Sequence, residues 1–170
     1  MPVKPIDPVP GDAAADPVVL PTAADTQTFG RRLAEVLKAG DLVLLIGPLG
    51  AGKTALTQGI GAGLGVRGAV VSPTFVIARS HAGGRLPLVH VDAYRLSSLD
   101  EVDDLDLDVS MADSVTVVEW GAGLVEQLSD ARLELRLARR DDSEVRQLWL
   151  TPVGGDWATR IADLTTNVDY

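Results

Sequence analysis

Apolar residues change period several times along the chain, and each change predicts an element. Phe29, Leu33, Val36 and Leu37 fall at i, i+4, i+7 and i+8, one face of a helix that Gly40 would close. Ahead of them a short apolar run, Val18-Val19-Leu20, is followed by Thr22-Ala23-Ala24-Asp25, the spacing of a capping box with Asp in place of Glu. Residues 42–46 are continuously apolar and end in glycine, which predicts a strand buried on both faces. Leu56, Ile60 and Leu64 stand four apart and end at Gly65, a second helix. Gly59, Gly61 and Gly63 would each cost this helix about 1 kcal/mol relative to Ala, so their presence predicts close packing against the sheet.

Three further runs, Val70-Val71, 86–91 and 115–118, read as strands, and the last two lead into Asp92 and Glu119. Leu133 to Leu137 alternates apolar and polar, and the polar stretch 139–143 leads into 145–150, the pattern of an antiparallel hairpin. A weak helical pattern spans about 157–164. This alternation of helices and buried strands predicts a three-layer α/β domain. Its sheet is expected to be mixed, with mainly parallel central strands and the antiparallel hairpin at the C-terminal end.

Residues 1–17 carry five prolines among small and acidic residues, too little apolar surface to offset ordering entropy. They are expected to be a disordered extension to a domain at 18–165, with a short tail at 166–170. The chain has 24 acidic and 15 basic residues, a net charge of −9, and no cysteine. The charge argues against direct DNA or RNA binding, which rests on clustered Lys and Arg; any RNA connection would run through a partner. Lack of cysteine excludes disulfides and thiol chemistry. No apolar run approaches the roughly twenty residues of a membrane span, and no secretory signal is evident, so the expected compartment is the cytoplasm.

Gly47-Pro48-Leu49-Gly50-Ala51-Gly52-Lys53-Thr54 has the spacing G-x-x-x-x-G-K-[ST] and lies between a predicted strand and a predicted helix, the context that a P-loop demands. Gly50 and Gly52 let the backbone turn its N–H groups of 49–54 toward phosphate oxygens, and the helix start adds its positive dipole end. Lys53 would reach the β- and γ-phosphates, and the Thr54 hydroxyl would bind Mg²⁺. The same residues fit a looser dinucleotide fingerprint, Gly50-x-Gly52-x-x-Ala55. That reading requires an acid about twenty residues later, where Pro73 and Thr74 stand. The guanine-reading loop of GTPases contains a lysine; this chain has none after Lys53, which favours ATP. Hydrolysis also needs a strand-end acid for Mg²⁺ and a group to orient water, and Asp92 and Glu119 compete for these tasks.

The P-loop, then Ser72-Pro73-Thr74-Phe75, then His90-Val91-Asp92-Ala93-Tyr94-Arg95-Leu96, then Glu119-Trp120, in this order, resembles the TsaE family of bacterial tRNA threonylcarbamoyladenosine (t6A) biosynthesis. The resemblance runs from about residue 18 to 150. It implies a P-loop ATPase that uses ATP and Mg²⁺ and works with TsaB-like and TsaD-like proteins. Those partners modify the adenosine next to the anticodon of ANN-decoding tRNAs, so that tRNA is met only indirectly. By position, Thr54 and Glu119 match the Mg²⁺ ligands and Asp92 an acid needed for hydrolysis. Residues 72–75 match a switch in which Thr74 would sense the γ-phosphate, and Trp120 matches a tryptophan near the nucleotide. Contacts to the base would involve Thr22. A Gly-Arg of the family's hairpin has no clean counterpart; Ser143-Glu144 stands there, with Arg146 as a substitute.

Six acids fall between Asp100 and Asp108. They read as a solvated face, with partner docking as the sharper alternative. His81 and His90 are too few for a metal cluster, and His90 is expected to pack at a strand end. Two other functions fit the P-loop: a small-molecule kinase, and a nucleotide-dependent binding module with little turnover.

Overall fold

The computed structural model describes residues 16–73 and 77–166. Most of the expected N-terminal extension, Thr74 and Phe75 of the expected switch, and residues 167–170 of the tail lie outside them.

Among the described residues, seven strands form one mixed sheet: β1 (Val18–Leu20), β2 (Leu42–Ile46), β3 (Ala78–His81), β4 (Leu88–Asp92), β5 (Val115–Glu119), β6 (Arg132–Arg139) and β7 (Arg146–Val153). Their order is β1-β7-β6-β2-β5-β4-β3. The four central strands, β6, β2, β5 and β4, are parallel. β3 pairs antiparallel with β4 at one edge, and at the other β7 pairs antiparallel with β6 and β1 with β7.

The apolar run of β2 divides between two cores by strict alternation, as the pleat requires. Val43 and Leu45 pack with Phe29, Leu33, Leu56 and Ile60 of α1 (Ala23–Val36) and α2 (Lys53–Leu64). Leu42 and Leu44 face the opposite core, which includes Val102, Leu107 and Met111 of α3 (Leu99–Asp103) and α4 (Leu107–Met111). Helices on both faces make the three layers, and the mixed sheet with parallel centre agrees with the sequence reading. The C-terminal segment forms two short helices, α5 (Trp157–Arg160) and α6 (Ala162–Thr166). Arg160 ties α5 to the end of α1 through the Val36 carbonyl and to Asp41.

The predicted capping box starts α1: Thr22 Oγ1 accepts from the Asp25 amide, and Asp25 Oδ2 accepts from the Thr22 amide. The helix ends at Val36 with the extended Leu37 as its C-cap, short of the Gly40 expected to close it.

Two expectations need correction. Val70-Val71 is not a strand. The Val70 carbonyl is taken by Gln58 Nε2 of α2 at 3.1 Å, and the place beside β4 belongs to β3, a polar edge strand that hydrophobic patterning could not show. The glycines of α2 mainly serve a helix, not the sheet. A Cβ on Gly59 would collide with the Gln27 carbonyl, one on Gly63 would sit 2.6 Å from Ala34 Cβ, and one on Gly30 would sit 2.5 Å from the Leu56 carbonyl. Only Gly61 faces a strand, against Val70 and Leu88. The backbones of α1 and α2 are therefore in direct contact.

The acidic segment folds as α3 and α4. Val102 and Leu107 enter the core, while Asp100, Glu101, Asp103, Asp104, Asp106 and Asp108 face solvent. Among the described residues, no helix is long and apolar enough to cross a membrane.

Candidate functional site

β2 delivers the chain at Ile46 into the glycine-rich turn, and α2 leaves it at Lys53. Gly50 at φ 79° and Gly52 at φ 111° adopt the left-handed conformation that only glycine enters without steric cost. Gly52 is the N-cap of α2, so the first amides of the helix open onto the turn without a side-chain cap.

Lys53 folds back over this turn. Its Nζ donates to the carbonyls of Gly47 at 2.6 Å and Pro48 at 3.0 Å, and it lies 4.2 Å from the centre of the Trp120 ring. Burial lowers the pKa of its ammonium, and the charges of Glu119 and Asp92 oppose that shift.

The two acids are brought together by strand register. Asp92 pairs with Glu119 across the parallel β4–β5 ladder, and period two puts both on the face that Leu88, Val115 and Val117 turn toward α1 and α2. Both are buried, 5% and 3% exposed. Asp92 Oδ1 accepts from the Tyr94 amide at 3.0 Å, and Ser72 Oγ lies 3.5 Å from Oδ2. Glu119 Oε1 lies 3.0 Å from His90 Nε2. Directly after Glu119, Trp120 adopts φ 61°, unusual for an aromatic residue. Its indole meets the Tyr94 ring edge-on at 5.3 Å.

A cavity of about 560 Å³ results, lined by Leu49, Gly50, Gly52, Lys53 and Thr54 from the turn and helix, Ser72 from the loop after α2, Asp92 and Tyr94 from the end of β4, and Glu119 and Trp120 from the end of β5. All the sequence-predicted site residues among 49–54, 92, 119 and 120 line it except Ala51, whose side chain packs into the core. Thr22 does not line it; its hydroxyl is engaged in the capping box. The hairpin does approach the turn: Arg146 Nε is 3.1 Å from where a Cβ on Gly52 would stand, and Arg139 Nη2 is 3.8 Å from that of Gly50. Arg139 and Tyr94 are neighbours of the site to which sequence reasoning gave no role. Tyr94 was within reach, two residues past Asp92; Arg139 is placed by hairpin register alone.

Among the described residues, no group of three or more His, Asp or Glu could hold a metal by itself. The cavity instead offers the Thr54 hydroxyl at the start of α2 and two carboxylates, Asp92 and Glu119, with Ser72 and Tyr94 also in its lining. That donor set suits Mg²⁺, which takes one or two carboxylates and fills its shell with water and phosphate oxygens.

A buried parallel strand, a glycine-rich turn and a helix starting on lysine, with acids at the ends of the two next strands in the sheet, define a mixed α/β protein with a P-loop NTPase-like fold. The family model described as "Threonylcarbamoyl adenosine biosynthesis protein TsaE" matches residues 20–148. The chain is 64% identical over 137 residues to the tRNA threonylcarbamoyladenosine biosynthesis protein TsaE of Streptomyces coelicolor, covering 77% of this chain and 93% of that one. It is 39% identical over 142 residues to the Bacillus subtilis protein of the same name, covering 83% and 88%. The crystal structure of Bacillus subtilis YdiB superposes with a TM-score of 0.72 at 32% identity, covering 87% of this chain and 92% of that one. The chain belongs to the TsaE family.

Proposed function

We propose that the chain binds Mg²⁺-ATP at the cavity beside the P-loop and hydrolyses it in support of t6A formation on ANN-decoding tRNAs, acting with TsaB-like and TsaD-like partners in the cytoplasm. The observation that carries the reading is the convergence of Lys53, Thr54, Asp92 and Glu119 on one cavity, at the open N-terminus of α2. Family membership supports the pathway.

The turn amides and Lys53 would hold the triphosphate and stabilise the charge that develops as water attacks the γ-phosphorus in line. Thr54 and Glu119 would hold Mg²⁺, which would supply charge neutralisation between the β- and γ-phosphates. Asp92, fixed by the Tyr94 amide, would orient the attacking water. To take up this role Lys53 exchanges its carbonyl partners, Gly47 and Pro48, for phosphate oxygens. Among the described residues, none of those lining the cavity is an arginine or glutamine, the groups that complete many such sites. Turnover by the chain alone is therefore slow, and partners raise it. Carboxylates line the cavity and the net charge is −9, so tRNA is met through the partners.

Separating the two acids tests this assignment. Glu119→Ala weakens Mg²⁺-dependent nucleotide binding, whereas Asp92→Ala spares binding and removes turnover. The reverse pattern would exchange their roles, and wild-type behaviour of both would remove the site.

A further inference from the structure

His90 stands two residues before Asp92 on β4 and projects from the same face of the sheet. Its Nε2 meets Glu119 Oε1 at 3.0 Å across the β4–β5 ladder, with the two side chains 0% and 4% exposed. Its other ring nitrogen, Nδ1, is buried and has no hydrogen-bond partner among the described residues. Around it on this face stand Leu88 and Val117, apolar and fully buried, and, across the β3–β4 ladder, Arg79 and His81 of the edge strand. A leucine or methionine would fill the place without burying an unpaired polar atom, which is unfavourable. Packing alone therefore does not account for histidine here, and among the described residues its hydrogen-bonding partner is the carboxylate of Glu119.

We propose that His90 is a positioning residue for Glu119: it donates Nε2–H to Oε1 and so fixes the carboxylate that, with Thr54, would hold a divalent cation. This rests on the reading of Glu119 as a Mg²⁺ ligand. The direction of the bond follows from donor chemistry. A carboxylate that binds a metal has only lone pairs to offer, so the hydrogen between the two groups is the imidazole's, carried on Nε2. A carboxylate at a strand end retains torsional freedom about its side chain. One buried hydrogen bond removes it, which is how the partners of a ligand raise the affinity of a metal site.

The test uses the full chain and a fluorescent, non-hydrolysable ATP analogue, titrated with Mg²⁺. His90→Leu fills the volume without a donor, and His90→Gln retains a donor close to the position of Nε2. The leucine variant is expected to raise the half-saturating Mg²⁺ concentration by about 10- to 100-fold, and the glutamine variant to recover most of that loss. Equal losses in both variants, or none in either, overturn the proposal. Glu119→Ala, measured alongside, separates the two readings: a loss there without one in His90→Leu defeats only the role of His90, and no loss there defeats both. The unsubstituted protein gives an independent readout should a variant fail to fold. Its ring ¹⁵N shifts are expected to put the His90 hydrogen on Nε2; a hydrogen on Nδ1 alone contradicts the proposal.

Discussion

The Lys53 ammonium rests 4.2 Å from the centre of the Trp120 ring while donating to the Gly47 and Pro48 carbonyls. Phosphate binding as proposed would break this arrangement, because the ammonium would have to leave two carbonyls and the indole face to reach the triphosphate. Trp149 and Trp157 are buried elsewhere, so Trp120 should carry the nucleotide-dependent change in tryptophan emission. Mg²⁺-ATP is expected to alter the emission of the native chain and not that of Trp120→Phe. A response that survives this substitution would place the reporter at another tryptophan.

Removing the ammonium tests its chemical role. Lys53→Ala is expected to lower ATP turnover by about 10²- to 10³-fold, the usual loss for one preorganised electrostatic group, and to weaken nucleotide binding. Steady-state phosphate release and equilibrium binding check the two effects separately. Unchanged turnover would remove the P-loop assignment.

Gly59→Ala reverses an ordinary rule. In an exposed helix the substitution would stabilise by about 1 kcal/mol. Here the new methyl group would strike the Gln27 carbonyl, a backbone atom that cannot rotate away, and overpacking of this kind costs about 1–3 kcal/mol. The melting temperature should fall by about 2–4 °C for each kcal/mol lost. A rise would show that α1 and α2 are not held in backbone contact.

Glu101 gives the acidic segment a pH dependence. Its carboxylate accepts from the Ser97 amide and hydroxyl, and these bonds hold its pKa below the ordinary glutamate value. The resulting support of α3 is fully present above the ordinary value and is lost as pH falls through the lowered one. Amide exchange over 99–103 should quicken across that acidic window, and Glu101→Gln should reproduce much of the effect at neutral pH. Exchange that ignores both would show that the carboxylate is idle.

What the sequence made legible follows from how many residues a feature needs. The P-loop is spelled in eight consecutive residues, and its torsions are local, so glycine positions revealed it. Three of the four central strands, β2, β4 and β5, are buried on both faces, and that burial writes itself as the runs around Leu44, Val89 and Val117. β3 was not legible, because an edge strand reading Ala-Arg-Ser-His is stabilised by its pairing with β4 and has no apolar signature. Gly59 and Gly63 announced close packing, but which surface they meet is a long-range fact. The Glu119 partnership of His90 is likewise a matter of ladder register. Spacing within β4 put His90 on the same face as Asp92, yet only the pairing with β5 brings it to the carboxylate.

Phosphate release from Mg²⁺-ATP, with and without the purified TsaB-like and TsaD-like partners, tests the central claim most directly. The account predicts slow release by the chain alone and a large rise on adding both partners. Groups supplied in trans at comparable sites raise rates by about 10³- to 10⁵-fold, and Lys53→Ala should lower release by about 10²- to 10³-fold in either condition. Release that the partners leave unchanged, or that Lys53→Ala retains, would contradict it.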